Sequence, residues 1–189
     1  MSAAVIIVGA GGFGRSVADA IAAGCTHTIA GFVDDRGPEV GDVFGHPVLG
    51  RVADLASLRR RHGLLVVAVG DNAKRRDITS LARAAGFELT TVIHPRAFVS
   101  SHARLGAGSL VMAGAIVGTE ASIGNGAIVN AGAVVDHHAE VGDFAHLGVG
   151  ACLAGGAVLG ALAWLREGAV LGAGQRLEAG DNTSTRIPP

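Results

Sequence analysis

The chain has 189 residues, 49% of them hydrophobic but only 4% aromatic, with no tyrosine and a net charge of -1 at pH 7. With a pI of about 6.7 it lacks the basic footprint of a nucleic-acid or polybasic membrane binder, and its two cysteines, Cys25 and Cys152, form neither a metal-ligand spacing nor a disulfide framework. The apolar start from Ala3 to Val8 has no basic flank, and no run reaches the ~18 apolar residues of a membrane span, so the expectation is a soluble cytoplasmic protein without a metal centre.

The two halves differ in composition. Nearly all Lys and Arg residues precede residue 105, and the remainder is Gly, Ala and Val with scattered polar residues. The expected organisation is a domain over residues 1–95 and a second over 96–189.

In chain order, Ala3 to Val8 reads as a strand and Gly9 to Gly14 as a glycine-rich turn. A helix with Val17, Ala20 and Ile21 on one face follows, stopped by Gly24. A second strand, Thr28 to Val33, ends at Asp34-Asp35. Gly9, Gly11 and Gly14 satisfy the G-x-G-x-x-G spacing, in which residues without a Cβ let a helix N-terminus approach a phosphate, and an acidic pair follows about twenty residues on. A helix is expected from Val52 to His62, a strand from Leu64 to Val69, the loop Gly70-Asp71-Asn72, a helix from Ala73 to Ala85 and a strand from Glu88 to Ile93.

Strands alternating with helices imply a small parallel sheet whose ligands bind beyond the carboxyl ends of its strands. The loops Gly9 to Gly14, Asp34-Asp35 and Gly70 to Asn72 share that edge and one expected pocket. At ~95 residues this domain is half of a full dinucleotide fold, which favours a mononucleotide. The basic runs Arg59-Arg60-Arg61 and Lys74-Arg75-Arg76 invite a phosphate reading, but the second, which opens a helix at that edge, is read first as a solvated helix face, and the first, in the last turn of its helix where cations favour the dipole, is given no function.

From Val99 to Leu177 an aliphatic residue occupies every sixth position without a miss, and four residues after each one, from Ala103 to Ala169, stands Ala or Ser. A period of six is that of a left-handed parallel β-helix, three hexapeptides to a coil. The aliphatic residue points inward and the small one sits where the prism is narrowest, which explains a hydrophobic chain with few rings. The fold class is thus α/β plus all-β: a small Rossmann-like parallel sheet followed by a left-handed parallel β-helix.

Polar exceptions to the hexad cluster at Asn130, Asp136-His137-His138, Glu140, Asp143 and His146. Read as strand neighbours, His137 and His138 point to opposite faces, Asp136 points away from His137, and His146 lies half a coil on. An imidazole suits general-base work near neutral pH.

The Gly9 to Gly14 turn, Asp34-Asp35, Val69-Gly70-Asp71-Asn72, the Ile93-His94-Pro95 junction and a hexapeptide helix carrying Asn130, His137 and His146 together resemble one family. It comprises the bacterial nucleotide-sugar N-acetyltransferases and sialic acid O-acetyltransferases, with a nucleotide-binding domain joined to a trimeric β-helix. The resemblance implies acetyl transfer from acetyl-CoA, as co-substrate, to the amino group of a nucleotide-linked amino sugar by a homotrimer. It places His137 as general base in a groove between subunits, with Asn130 and His138 beside it. It assigns the sugar nucleotide to Gly11, Gly12, Phe13, Asp34, Asp35, Gly70 and Asn72, and acetyl-CoA to His146, Gly148 and Gly155.

The sequence departs from that pattern in three places. His138 stands where the family carries a carboxylate after its catalytic histidine. The first turn reads Gly-Gly-Phe where the branch acting on UDP-linked sugars reads Ser-Gly-His. Leu162, Trp164 and Arg166 replace small or polar residues in the last coils, and the usual final coil and tail are missing after Thr183 to Pro189, so an altered donor site is expected. The alternatives are O-acetylation of the sialic-acid type, a non-catalytic trimeric homologue and, from the glycine spacing alone, a dinucleotide-binding oxidoreductase. Apolar residues on the outer faces, such as Ile116, Ile128 and Val134, are expected to be covered by trimerisation.

Overall fold

A computed structural model describes residues 4–24 and 27–183 of the chain. Cys25 and the residues after Thr183 lie outside the described residues. The chain divides into two compact units, Met1–Val92 and Ile93–Pro189. Among the described residues no helix is long and apolar enough to cross a membrane.

The first unit contains β1 (Ala4–Val8), α1 (Gly12–Gly24), β2 (Thr28–Val33), β3 (Val48–Gly50), α2 (Leu55–Leu58), β4 (Leu64–Val67), α3 (Asn72–Ala84) and β5 (Glu88–Leu89). The strands form one parallel sheet in the order β3-β2-β1-β4-β5. Four of the five residues of β1 are fully buried, as expected of a central parallel strand covered on both faces. Val17, Ala18, Ala20 and Ile21 form the buried stripe of α1, and Ile6, Val8, Val33, Leu65, Val67 and Phe87 share one core cluster.

Two boundaries differ from expectation. The helix expected from Val52 to His62 is a 3-10 turn, Val52–Asp54, and the single α-turn of α2. Of the two elements only Leu55 is buried, so there is little apolar stripe to extend the helix against the sheet. The strand expected from Glu88 to Ile93 is two strands: β5 pairs with β4, whereas β6 (Val92–Ile93) belongs to a sheet of the second unit.

In the second unit two-residue strands recur every six residues, from β7 (Phe98–Val99) to β21 (Asn182–Thr183). They stack into three parallel sheets with a register of one coil, so that Ile116 pairs with Val134, Ser122 with Glu140 and Ile128 with His146. This is the left-handed parallel β-helix of the hexad. Its interior is a continuous column in which Val111, Val129, Leu147 and Leu165 are fully buried, as are the small residues Ala115, Ala133, Ala151 and Ala163. Each buried aliphatic side chain contributes roughly 1.5–3 kcal/mol relative to exposure.

The corners have their own regularity. From Gly108 to Gly180 every sixth residue has φ between 56° and 77°, and nine of these residues are glycine. The exceptions are Glu120, His138, Phe144 and Leu162. The outer apolar residues are unequal, for Ile116 is exposed, Val134 is half-buried and Ile128 is already fully buried within the chain.

Candidate functional site

Three regions hold the expected site residues. In the first unit, β1 delivers the chain into the glycine turn, and two of the three glycines of the spacing are accounted for by internal packing. A Cβ on Gly9, where φ is 106°, would stand 2.7 Å from the Ala68 carbonyl oxygen, and one on Gly14 would run into the Gly9 carbonyl. Gly11 and Gly12, and likewise Gly70, have nothing within 4 Å of a Cβ. At those three positions no neighbouring atom of the chain demands glycine.

Asp34 at the end of β2 accepts the Ala10 N–H at 2.9 Å and is clamped by Arg36 through Nε at 2.8 Å and Nη2 at 3.1 Å. The Arg36 hydrogen bonds, aided by the Ala10 amide and opposed by partial burial, hold this carboxyl well below the usual range. Asp35 accepts the Val52 N–H at 3.1 Å. Both carboxylates expected at a sugar nucleotide thus also tie the turn, β2 and the next segment together.

A cleft of about 170 Å³ at this edge is lined by Gly9, Asp34, Asp35, Val52, Val69 and Lys74 among others, whereas Gly11 to Gly14 and Gly70 to Asn72 are not part of its lining. Asn72 is mostly buried and its Oδ1 accepts from Arg75 Nη2 at 2.7 Å. This corrects the reading of Lys74-Arg75-Arg76 as a solvated face. Arg75 is 1% exposed and donates to the Val69 and Gly70 carbonyls at 2.9 and 3.1 Å, and burial lowers its pKa to about 10 against the opposing charge of Asp71. These acceptors hold the guanidinium and fix the loop that presents Gly70. Lys74 borders the cleft, and Arg76 alone behaves as expected, paired with Asp77 at the surface.

The second region is a β-helix corner. His137 and His138 are not strand neighbours but the two turn residues between β13 (Val134–Val135) and β14 (Glu140–Val141). The strand rule that sends adjacent side chains to opposite faces therefore does not apply. The two imidazoles meet, Nδ1 to Nδ1, at 3.0 Å, with their rings at 85°. Asp136 does not point away: its Oδ1 accepts the His137 N–H at 2.7 Å and its Oδ2 stands 3.9 Å from His137 Nε2.

One coil later the Gly156 N–H donates to the His137 carbonyl at 3.0 Å. Beside it a Cβ on Gly155 would lie 2.6 Å from both Cε1 and Nε2 of His137. The absence of a side chain at Gly155 is what gives the His137 ring its place.

Asn130 and His146 form a third group on another wall of the prism. Asn130 Nδ2 and His146 Nε2 are 3.4 Å apart. His146, 4% exposed, stacks on Trp164 one coil below with centroids 4.6 Å apart, and Arg166 lies over the other part of that column, 3.9 Å from the indole centroid. Two of the divergent residues of the last coils, Trp164 and Arg166, thus build one stack against His146. A Cβ on Gly148 would strike the backbone of Glu167 at 2.6 Å, so glycine is needed there for coil stacking. Asp143 accepts from the backbone and side chain of Asn125 at 2.7 and 3.1 Å, a corner ladder that strengthens the helix.

Sequence reasoning missed Glu120, whose Oε2 lies 2.9 Å from His138 Nε2. The signal was available, because Glu120 and His138 both break the glycine phase of the corners. Among the described residues no group of three or more His, Cys, Asp or Glu is placed to hold a metal ion.

Comparison with known proteins gives these sites a family. The family model of the PglD N-terminal domain matches residues 4–81. The chain is 33% identical over 113 residues to UDP-N-acetylbacillosamine N-acetyltransferase of Bacillus subtilis, a match spanning 58% of this chain and 51% of that protein. Among solved structures it superposes on a His-to-Asn variant of perosamine N-acetyltransferase from Caulobacter crescentus, in complex with CoA and GDP-perosamine. The TM-score there is 0.83 with 38% identity over 98% of this chain and 90% of that one. The acetyltransferase domain of PglB from Neisseria gonorrhoeae, in complex with acetyl coenzyme A, gives a TM-score of 0.78 with 39% identity over 100% of this chain and 94% of that one. With this identity along both of its units, the chain belongs to the nucleotide-sugar N-acetyltransferase family of hexapeptide-repeat acyltransferases.

Proposed function

We propose that this chain transfers acetyl from acetyl-CoA to the amino group of a nucleotide-linked amino sugar, with His137 as the general base. The observation that carries the reading is the His137 imidazole, 61% exposed on a β-helix corner, in a chain 38% identical over 98% of its length to an enzyme solved with CoA and GDP-perosamine. Residues 1–95 serve as the sugar-nucleotide domain and residues 96–189 as the acyltransferase domain. The cleft at Gly9, Asp34 and Lys74 takes the nucleotide, with Gly11, Gly12, Phe13, Asp35, Gly70 and Asn72 around it. The group of Asn130, His146 and Gly148 serves acetyl-CoA and the acceptor. Each active groove lies between adjacent protomers of a cytoplasmic homotrimer, so that the separate walls of one prism need not meet within one chain.

The chemistry follows from the parts. The sugar amine attacks the thioester carbonyl carbon, a C–N bond forms, and the nitrogen loses a proton to His137 Nε2. The developing oxyanion is met by a backbone N–H of the β-helix. The C–S bond then breaks, and the CoA thiolate leaves and takes up a proton. The test is a thermal-shift panel of acetyl-CoA, GDP-, UDP- and dTDP-linked amino sugars and NAD, followed by thiol release from acetyl-CoA. Stabilisation by acetyl-CoA together with release that depends on one amino sugar is expected. A shift with NAD alone, or with none of them, contradicts the reading.

A further inference from the structure

The stretch Glu120, His138, Gly156 forms one vertical edge of the β-helix, each residue one coil below the last. Two of the three are not glycine although their φ angles are both 59°. An L residue in that region is strained, because its Cβ crowds the neighbouring backbone. Phe144 and Leu162 stack likewise, one coil apart, with apolar side chains; the edge of Glu120 and His138 differs in carrying two polar side chains that meet at 2.9 Å beside His137.

We propose that Glu120, acting through His138, positions His137 and fixes its tautomer, so that the pair replaces the single carboxylate that the chain lacks after His137. The inference rests on His137 being the general base. Glu120 Oε2 can only accept, so the His138 Nε2 at 2.9 Å donates its N–H. A neutral imidazole carries one N–H, so His138 Nδ1 bears a lone pair. The His137 Nδ1 at 3.0 Å must then donate to it. His137 Nε2 is left with its lone pair, beside the space that Gly155 clears.

When Nε2 takes a proton, the new charge is met by hydrogen bonding toward His138 and Glu120 on one side. On the other side stands Asp136 Oδ2 at 3.9 Å, too far for a hydrogen bond. Among the described residues these three are the titratable groups that contact either ring. No proton needs to leave the pair of imidazoles; Glu120 orients and stabilises without touching substrate.

The experiment reads the tautomer directly in the intact protein, from the ring ¹⁵N shifts of His137 and His138, in the native chain and in Glu120→Gln, Glu120→Gly and His138→Glu. The native chain is expected to show His137 protonated at Nδ1 and His138 at Nε2. In Glu120→Gly that preference is lost while the melting temperature is unchanged or higher, because glycine relieves the corner; a purely structural glutamate would give a lower one. In kinetics with acetyl-CoA and GDP-perosamine, Glu120→Gln is expected to lower kcat about tenfold, because the charge that forms on the base loses its carboxylate partner. It also moves the acid limb of the pH profile to lower pH.

In the His138→Glu background, where a carboxylate already adjoins His137, the same Glu120→Gln change should cost nothing. His137 protonated at Nε2, or a tautomer indifferent to Glu120, overturns the proposal. So does an acid limb that moves with Asp136→Asn but not with Glu120→Gln. Near-native turnover in His137→Asn would instead overturn the general-base reading, so the two failures are separable.

Discussion

The glycine turn after β1 and the corner at His137 obey opposite rules. In the turn, glycine is the motif, yet Gly9 and Gly14 are required by the packing of β1 on α1 and β4, and Asp34 is engaged by Ala10 and Arg36. Gly11 and Gly12, and Gly70 in the loop after β4, have no internal reason to lack a side chain. At the corner, glycine is the background, and Glu120 and His138, which replace it, are the residues that meet beside His137. A motif therefore says most where its residues have no structural duty, and a repeat says most where it is broken.

Substituting the corner gives the largest expected effects. His137→Ala should cut turnover by at least about a hundredfold with the fold intact, as loss of a general base requires. Gly155→Ala should follow closely: its Cβ would stand 2.6 Å from His137 Nε2, and displacing a base by about 1 Å costs on the order of a hundredfold. Circular dichroism checks the fold and thiol release checks the rate. A Gly155→Ala enzyme of native activity would show that the ring does not work from this position.

The turn makes opposite predictions for two glycines that the motif does not distinguish. Gly14→Ala should destabilise the first unit by about 3 kcal/mol, lowering its unfolding transition and leaving that of the β-helix in place. Gly11→Ala should leave stability unchanged and weaken binding of the nucleotide sugar, measured by calorimetry. Equal loss of stability in both would erase the distinction between packing and ligand-facing glycines.

The smallest effect is electrostatic. Because Arg36 holds Asp34 below its ordinary range, the stabilisation is fully present above the unfolded pKa near 4. It is lost as pH falls from there through the folded value. Acid unfolding of the first unit, followed from pH 6 downward, should lose part of its steepness in Asp34→Asn.

The β-helix was legible because one phase of aliphatic residues and one of small residues run unbroken from Val99 to Leu177, and the inward positions they mark are the buried ones. The parallel sheet was legible from glycine punctuation and buried apolar runs. Less visible was the end of the expected helix at His62, since the Arg59 to Arg61 run has helical propensity but no apolar stripe; Arg59 instead donates to the Gly86 carbonyl at 2.7 Å. Buried Arg75 was hidden because charge alone suggests solvent, and its acceptors are backbone carbonyls that no sequence displays.

The histidine pair was misread for a simpler reason. Strand alternation was applied to residues whose place in the hexad makes them a turn. Reading the glycine phase from Gly108 to Gly180 would have put His138 and Glu120 on one edge, although not at hydrogen-bonding distance.

The most direct measurement is mass spectrometry of a nucleotide amino sugar, GDP-perosamine first, after incubation with acetyl-CoA and the native chain or His137→Ala. The account predicts one acetyl group on the sugar nitrogen with the native chain and almost none with the variant. Unmodified sugar across the panel of nucleotide amino sugars, or equal acetylation by both proteins, would contradict it.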